Sequence, residues 1–225
     1  MAPPRKHSTD DILDAARALV LAEGPRAASV AAISQASGAP VGTLYHRFGS
    51  RDGVLVAAWL RALERFQARA LAAADAHPGD PLEAGVAIAV ASLSFAREHP
   101  GDARLLLAVR RGDLLDGDPA AGAGDGGGDG AGAGAGSLRE RLDAMNAPLE
   151  AAVAGIARAL HGRADARALD AVTRAVVDLP TAVVRRHLRD AAPAAAAGPA
   201  AVPSLPRWLA ADVATDVRAL LASMR

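Results

Sequence analysis

Cysteine is absent from this 225-residue chain, and aromatic side chains are few: two tryptophans, one tyrosine and three phenylalanines. The lack of cysteine excludes disulfides, thiolate metal sites and cysteine catalysis, and it fits a reducing cytoplasm. The hydrophobic half of the composition, 51%, is mostly alanine, leucine and valine. Alanine and leucine are the strongest helix formers, whereas strands favour β-branched and aromatic residues. The composition therefore predicts an all-α fold.

Net charge is lacking as well. The 25 basic and 25 acidic residues cancel, which argues against a non-specific nucleic-acid coat. Within residues 1–60, Arg5, Lys6, Arg17, Arg26, Arg47 and Arg51 exceed Asp10, Asp11, Asp14, Glu23 and Asp52 by one charge only, so any DNA contact depends on where charges sit. No long apolar run exists either. The nearly uncharged stretch Ala84 to Ala96 falls short of the roughly 20 residues a bilayer demands, and Met1 to His7 carries no apolar core after its charges. A soluble, cytoplasmic protein without a membrane partner is expected.

Catalytic signatures are missing too. There is no Gly-x-Ser-x-Gly, His-Glu-x-x-His or phosphate-binding Gly-Lys-Ser/Thr. Residues Gly122 to Gly127 spell the dinucleotide fingerprint, but no strand precedes them, and in a glycine tract the match is chance. His7, His46, His77, His99, His161 and His187 are scattered without metal-ligand spacing. No enzyme, metal or cofactor is expected.

What the chain does have is helical periodicity with punctuation. A first helix is expected from Thr9, as its cap, to Glu23, stopped by Gly24-Pro25, with Ile12, Ala16, Leu19 and Val20 buried. Ser29 caps a short second helix to Ala36. After Ser37-Gly38-Ala39, Pro40 in a first turn opens a third helix reaching about Phe48. Ser50 caps a fourth, with Leu55, Trp59, Ala62, Leu63 and Phe66 inward. Beyond His77 to Pro81 come a fifth helix (Leu82, Val86, Ala89, Leu93, Ala96) and a sixth (Leu105, Leu106, Val109, Leu114). Residues 116–136 are glycine, alanine and aspartate with no cation, the composition of a flexible loop. Helical pattern resumes from Ser137 to Leu160, kinked at Pro148, and from Asp165 to Arg189, kinked at Pro180. A Pro/Ala linker spans 191–203, and a last helix, Pro206 to Ala222, carries Leu209, Val213, Val217 and Leu220.

The second and third helices have the outline of a helix-turn-helix. In such a unit one helix lies across the DNA backbone, and the N-terminal residues of the next reach base edges in the major groove. Small residues at Pro40, Val41 and Gly42 allow close approach, and Thr43 offers a hydroxyl and a methyl group. Tyr45, His46, Arg47 and Arg51 can donate to phosphates. Ser29 and Val30 place free N–H groups at a helix start. Leu44 and Phe48 suit the miniature core. A short aromatic-bearing helix beside a longer one also serves as plain core, so the outline alone leaves both readings open.

The stretch from Ala32 to Asp52, set behind Ile12 to Ala16 and Gly24, resembles the signature of TetR-type transcriptional regulators: Ala36, Gly38, Gly42, Thr43, Leu44, Tyr45, Phe48, Ser50 and Leu55 stand in register. Arg47 stands where histidine is commoner and Arg51 where lysine is usual, which bears on sequence preference more than on DNA binding. The resemblance covers about the first quarter of the chain. It implies a DNA-binding domain over 1–52 and a larger helical ligand-binding and dimerisation domain over 53–225. It further implies a near-palindromic double-stranded operator, a homodimer formed through the last two long helices, and a small-molecule inducer whose binding releases the operator. Trp59, Phe66, Phe95, His99, Leu106 and Met145 are candidate pocket residues, although residues of this kind more often form ordinary core. The stripes on the last two helices suit either a dimer or an intramolecular core. The alternative is a helical small-molecule-binding protein without DNA activity.

Overall fold

The computed structural model describes residues 8–109, 130–190 and 205–223, with the backbone alone over 130–137. All regular structure among the described residues is helical. Residues 116–129 of the expected loop, the fingerprint lookalike at 122–127, Leu114 and the linker at 191–203 lie outside the described residues.

Helix α1 spans Thr9–Glu23. Its cap is Ser8, not Thr9: the Ser8 hydroxyl accepts the Asp11 N–H at 3.0 Å while the Asp11 carboxylate accepts the Ser8 N–H at 3.3 Å. This reciprocal pair satisfies two helix-start donors at once, which a cap at Thr9 could not do with this spacing. Gly24, at φ 87°, ends the helix, and a 3-10 turn, Pro25–Ala27, leads onward. Helices α2 (Val30–Ser37), α3 (Val41–Phe48) and α4 (Arg51–Asp75) follow. Helix α5 (Pro81–Glu98) is capped by Asp80, whose carboxylate accepts the Glu83 N–H at 3.1 Å. Helix α6 is Pro100–Ala108 and α7 is Gly130–His161, with Pro148 inside it. Helix α7 starts seven residues before the expected Ser137. Glycine alternates with alanine over 130–136, so local propensity does not favour the extra turns, and what does is that extending an existing helix avoids the cost of nucleating one.

The segment expected as one kinked helix is α8 (Ala166–Thr173), a π-turn (Arg174–Asp178) and α9 (Leu179–Asp190). Pro180 has no N–H and its ring crowds the preceding turn. Widening that turn to the π geometry, with the Leu179 N–H reaching the Arg174 carbonyl, is how the helix absorbs it. The extra residue shifts the inward stripe, so Val184 and Leu188 are buried in place of the expected Val183. In α10 (Leu209–Ser223) the stripe runs Leu209, Val213, Val217 and Leu221, while the expected Leu220 is 41% exposed.

The chain forms two compact units: residues 1–63 with 101–135, and 64–100 with 136–225. Helix α4 is shared between them, Arg51 to Leu63 falling in the first. In the second unit α5 is buried on most sides, at Leu82, Val86, Ile88, Ala89, Leu93, Phe95 and Ala96 among others. Helix α10 lies directly on α5. A Cβ on Gly85 would stand 2.7 Å from Leu221 Cδ1, so glycine sets this close approach. The apolar stripe of α10 is thus consumed inside the protomer. The same unit holds an edge-on Phe66–Phe95 pair, 5.6 Å between centroids, and a hydrogen bond of 2.7 Å donated by the Gln67 side-chain amide to Asn146 Oδ1.

Candidate nucleic-acid interface

The first unit builds the helix-turn-helix from short-range chemistry. The Ser29 hydroxyl caps α2 by accepting the Ala32 N–H at 3.1 Å, and Ile33, with no exposure, anchors the helix below. Gly38 takes the left-handed conformation, φ 70° and ψ 0°, where a side chain would be strained. Two serines stitch the turn: Ser34 donates to the Ala39 carbonyl and Ser37 to the Ile33 carbonyl, both at 2.7 Å.

Pro40 is the N-cap of α3, one residue ahead of the expected first turn. It presents its carbonyl to the N–H groups of Thr43 and Leu44, at 2.8 and 3.3 Å. Leu44, 1% exposed, is the side chain that pins α3 down. Behind it α4 starts very close: a Cβ on Gly53 would lie 1.9 Å from the Phe48 carbonyl oxygen. Only glycine allows that junction.

The outward side of α3 is the candidate interface. Val41 and Tyr45, one turn apart, are 42% and 52% exposed. Pro40, Gly42, His46 and Ser29 are also exposed, while Val30, Thr43, Arg47 and Phe48 are half-buried. An open groove of about 640 Å³ is lined by Gly42, Thr43, His46, Arg47, Phe48 and, from α1, Thr9. A Cβ on Gly42 would meet nothing within 4 Å, so no packing inside the protein demands glycine there.

Thr9 is the residue that reading the sequence missed. Because Ser8 takes over the capping, the Thr9 hydroxyl is left to face Arg47, whose Nη1 is 3.5 Å away. The signal was present as Ser8-x-x-Asp11, a capping box displaced by one residue. Arg51 sits apart from the groove. Its guanidinium donates to the Ala28 carbonyl at 3.1 Å and to the Pro25 carbonyl, and it pairs with Asp52 at 2.6 Å.

The acids of this segment are turned toward its own cations. Arg61 of α4 bridges Asp10, at 2.6 Å, and Asp14 of α1, and Asp14 is also 3.2 Å from Arg17. Burial works against the Arg61 charge, but the hydrogen bonds it donates to Asp10 and then Asp14 outweigh it and hold its pKa above the ordinary value. Arg17 reaches on to Asp102 in the first turn of α6, a carboxylate only 1% exposed. Pairing α1 acids in this way reduces their repulsion of an approaching polyanion.

The candidate pocket residues divide between the two units. Phe66, Phe95 and His99 stack in sequence in the second unit, with Phe95 to His99 centroids 5.4 Å apart. Met145, half-buried, belongs to the same unit. Trp59 and Leu106 belong to the first, where the Trp59 indole N–H donates to the Val109 carbonyl at 3.1 Å.

Residues 12–58 match the family model described as bacterial regulatory proteins, tetR family. Among curated proteins, no sequence matches the chain. Solved structures are similar in fold over nearly the whole chain at low identity. A fatty acid degradation regulator, FadR, from Bacillus halodurans is 16% identical over 100% of this chain and 98% of its own, with a TM-score of 0.64. A tetR family transcription regulator from Shewanella sp. PV-4 is 17% identical over 96% of each chain, at 0.61. The TetR family regulator PfmR from Thermus thermophilus is 21% identical over 97% of each, at 0.59.

Proposed function

We propose that this chain, whose residues 12–58 match the tetR family model, is a DNA-binding regulator of that family and a ligand-responsive repressor reading DNA with the N-terminal end of α3. The observation that carries the reading is the groove bounded by Thr9 and α3, where a glycine without internal purpose leaves the helix backbone bare. Val41, Gly42 and Thr43 approach base edges, with the Thr43 hydroxyl as donor or acceptor and its methyl group against thymine. Tyr45, His46 and Arg47 hold phosphates, as do the free N–H groups at the start of α2 beside Ser29 and Val30.

With a net charge of zero, a few placed contacts must suffice, and a homodimer doubles them on a near-palindromic operator. The stripe of α10 is buried in its own protomer, so the pairing surface is the outer side of α9 and α10. There Leu220 and Trp208 are exposed, as are Arg185, Arg186 and Arg189 on one helix and Asp212 and Asp216 on the other. Isologous packing that lays the arginines of one protomer on the aspartates of its partner suits this surface. A small molecule held in the second unit, near Phe66, Phe95, His99 and Met145, acts through the shared helix α4. It shifts the protein only by its differential affinity for the two shapes, and near-complete release takes roughly 5 kcal/mol.

The test is a gel shift with DNA from around the protein's own gene. A complex is expected that weakens steeply as salt rises, through counterion release. Tyr45→Phe should weaken binding to all sequences alike, and Thr43→Val should change which sequence is preferred. Absence of any shift at low salt would favour a helical small-molecule-binding protein instead.

A further inference from the structure

Position 51 carries an arginine whose donors are directed into the protein. The carbonyls it meets are ones the neighbouring helices leave over. Ala28, fully buried, is the centre of an inverse γ-turn, φ −75° and ψ 61°, closed by the Ser29 N–H on the Ala27 carbonyl at 2.8 Å. Such a turn directs the central carbonyl off the chain's path. The α2 N–H four residues on, that of Ala32, does not serve it, because the Ser29 hydroxyl takes it at 3.1 Å. Arg51 Nε supplies the missing partner at 3.1 Å, Nη2 serves the Pro25 carbonyl, and Nη1 is braced by Asp52 at 2.6 Å. One planar fork therefore ties three points: the 3-10 turn, the γ-turn and the first turn of α4.

We propose that Arg51 is a positioning residue for DNA recognition and not a phosphate ligand. By fixing the Pro25–Ala28 connection to the start of α4, it aims the N-terminal N–H groups of α2, which begin one residue later, at the DNA backbone. The role rests on the DNA-binding reading above. It depends on the shape of the guanidinium as well as its charge. An ammonium is a compact point charge that cannot span the same three acceptors.

The experiment uses the full chain, as wild type, Arg51→Ala and Arg51→Lys. It measures DNA affinity across a salt series on one fragment and amide exchange at Ser29 and Ala32 without DNA. Both variants should bind about tenfold more weakly or worse. Their slope of log affinity against log salt should match the wild type, and exchange of the bonded Ser29 and Ala32 amides should quicken in both. Recovery in Arg51→Lys, together with a slope in Arg51→Ala reduced by about 0.9 per phosphate, would overturn the proposal in favour of a phosphate ligand. Wild-type affinity in both variants, measured below their melting temperatures, would overturn it in favour of a mere fold brace. If the wild type binds no fragment, the DNA reading falls on its own, and the exchange rates still decide whether Arg51 holds the turn.

Discussion

Replacing Gly42 with alanine separates folding from recognition, because the two should move in opposite directions. Gly42 lies in the first turn of α3 at an ordinary helical backbone, with nothing within 4 Å of the position a Cβ would take. Alanine in a helix is favoured over glycine by about 0.5–1 kcal/mol through backbone entropy. In a first turn the lower end applies, about 0.5 kcal/mol, or about 1–2 °C in melting temperature for a chain of this size. On DNA the same methyl group occupies the space through which the backbone of α3 approaches the base edges. Either it collides or the helix retreats, and forfeiting one good interaction with a base costs about 1–3 kcal/mol. The expected weakening is at least tenfold per half-site, about 1.4 kcal/mol, and it squares in a two-fold pair. Thermal melting followed by circular dichroism reads the first effect, and fluorescence anisotropy with labelled operator reads the second. A variant that melts higher and binds as tightly as wild type would show that the face carrying Gly42 does not meet DNA.

Two further predictions concern the ion pairs. Arg17→Ala takes the bonded Arg17 cation from the Asp102 carboxylate, which is 1% exposed, and should destabilise the protein by about 3 kcal/mol. In urea melts, Arg17→Met with Asp102→Leu should recover most of that loss, and an unaltered melt for Arg17→Ala would show the pair to be unimportant. Glu83, gripped by the Arg218 fork at 2.6 and 2.8 Å, has its pKa held below the ordinary 4.5, first by that hydrogen bond. Its contribution is therefore complete above pH 4.5 and disappears as pH falls through the lowered folded-state value. The melting-temperature gap between wild type and Glu83→Gln should be widest near neutrality and close in acid and at high salt. A gap that persists undiminished in strong acid would contradict this assignment.

Much of the fold was legible in the residues because helix signals are local. Ser29, Gly38 and Ser50 each act on backbone groups within four positions, and the stripes of α1 and α5 follow from a fixed period. The errors fell where two local choices were nearly equal. Ser8 and Thr9 are both capping residues, and only the matching Asp11 decides between them. Leu220 and Leu221 both continue a helical stripe, and what stands opposite, the bare backbone of Gly85, selects the second. Pro180 announced a distortion without saying whether the helix would bend or widen.

The candidate interface divides in the same way. That α3 is the candidate reading helix was legible from Pro40 to Phe48, since turn chemistry, small residues and hydrogen-bonding side chains are all contained in that short run. Thr9 joins the groove and Arg51 is drawn away from it by arrangements in space, which no spacing rule conveys. Position 51 shows this well. The sequence alone supplies a cation at the start of a helix following the reading helix, and a phosphate is the obvious partner. The tertiary structure brings two leftover carbonyls from residues 25 and 28 into reach and turns the fork inward. Likewise, amphipathicity determined that α10 must bury Leu209, Val213 and Val217, because exposed apolar stripes are costly in water. Whether they are covered by α5 or by a second protomer was decided by the space at Gly85, a property of the packed chain alone.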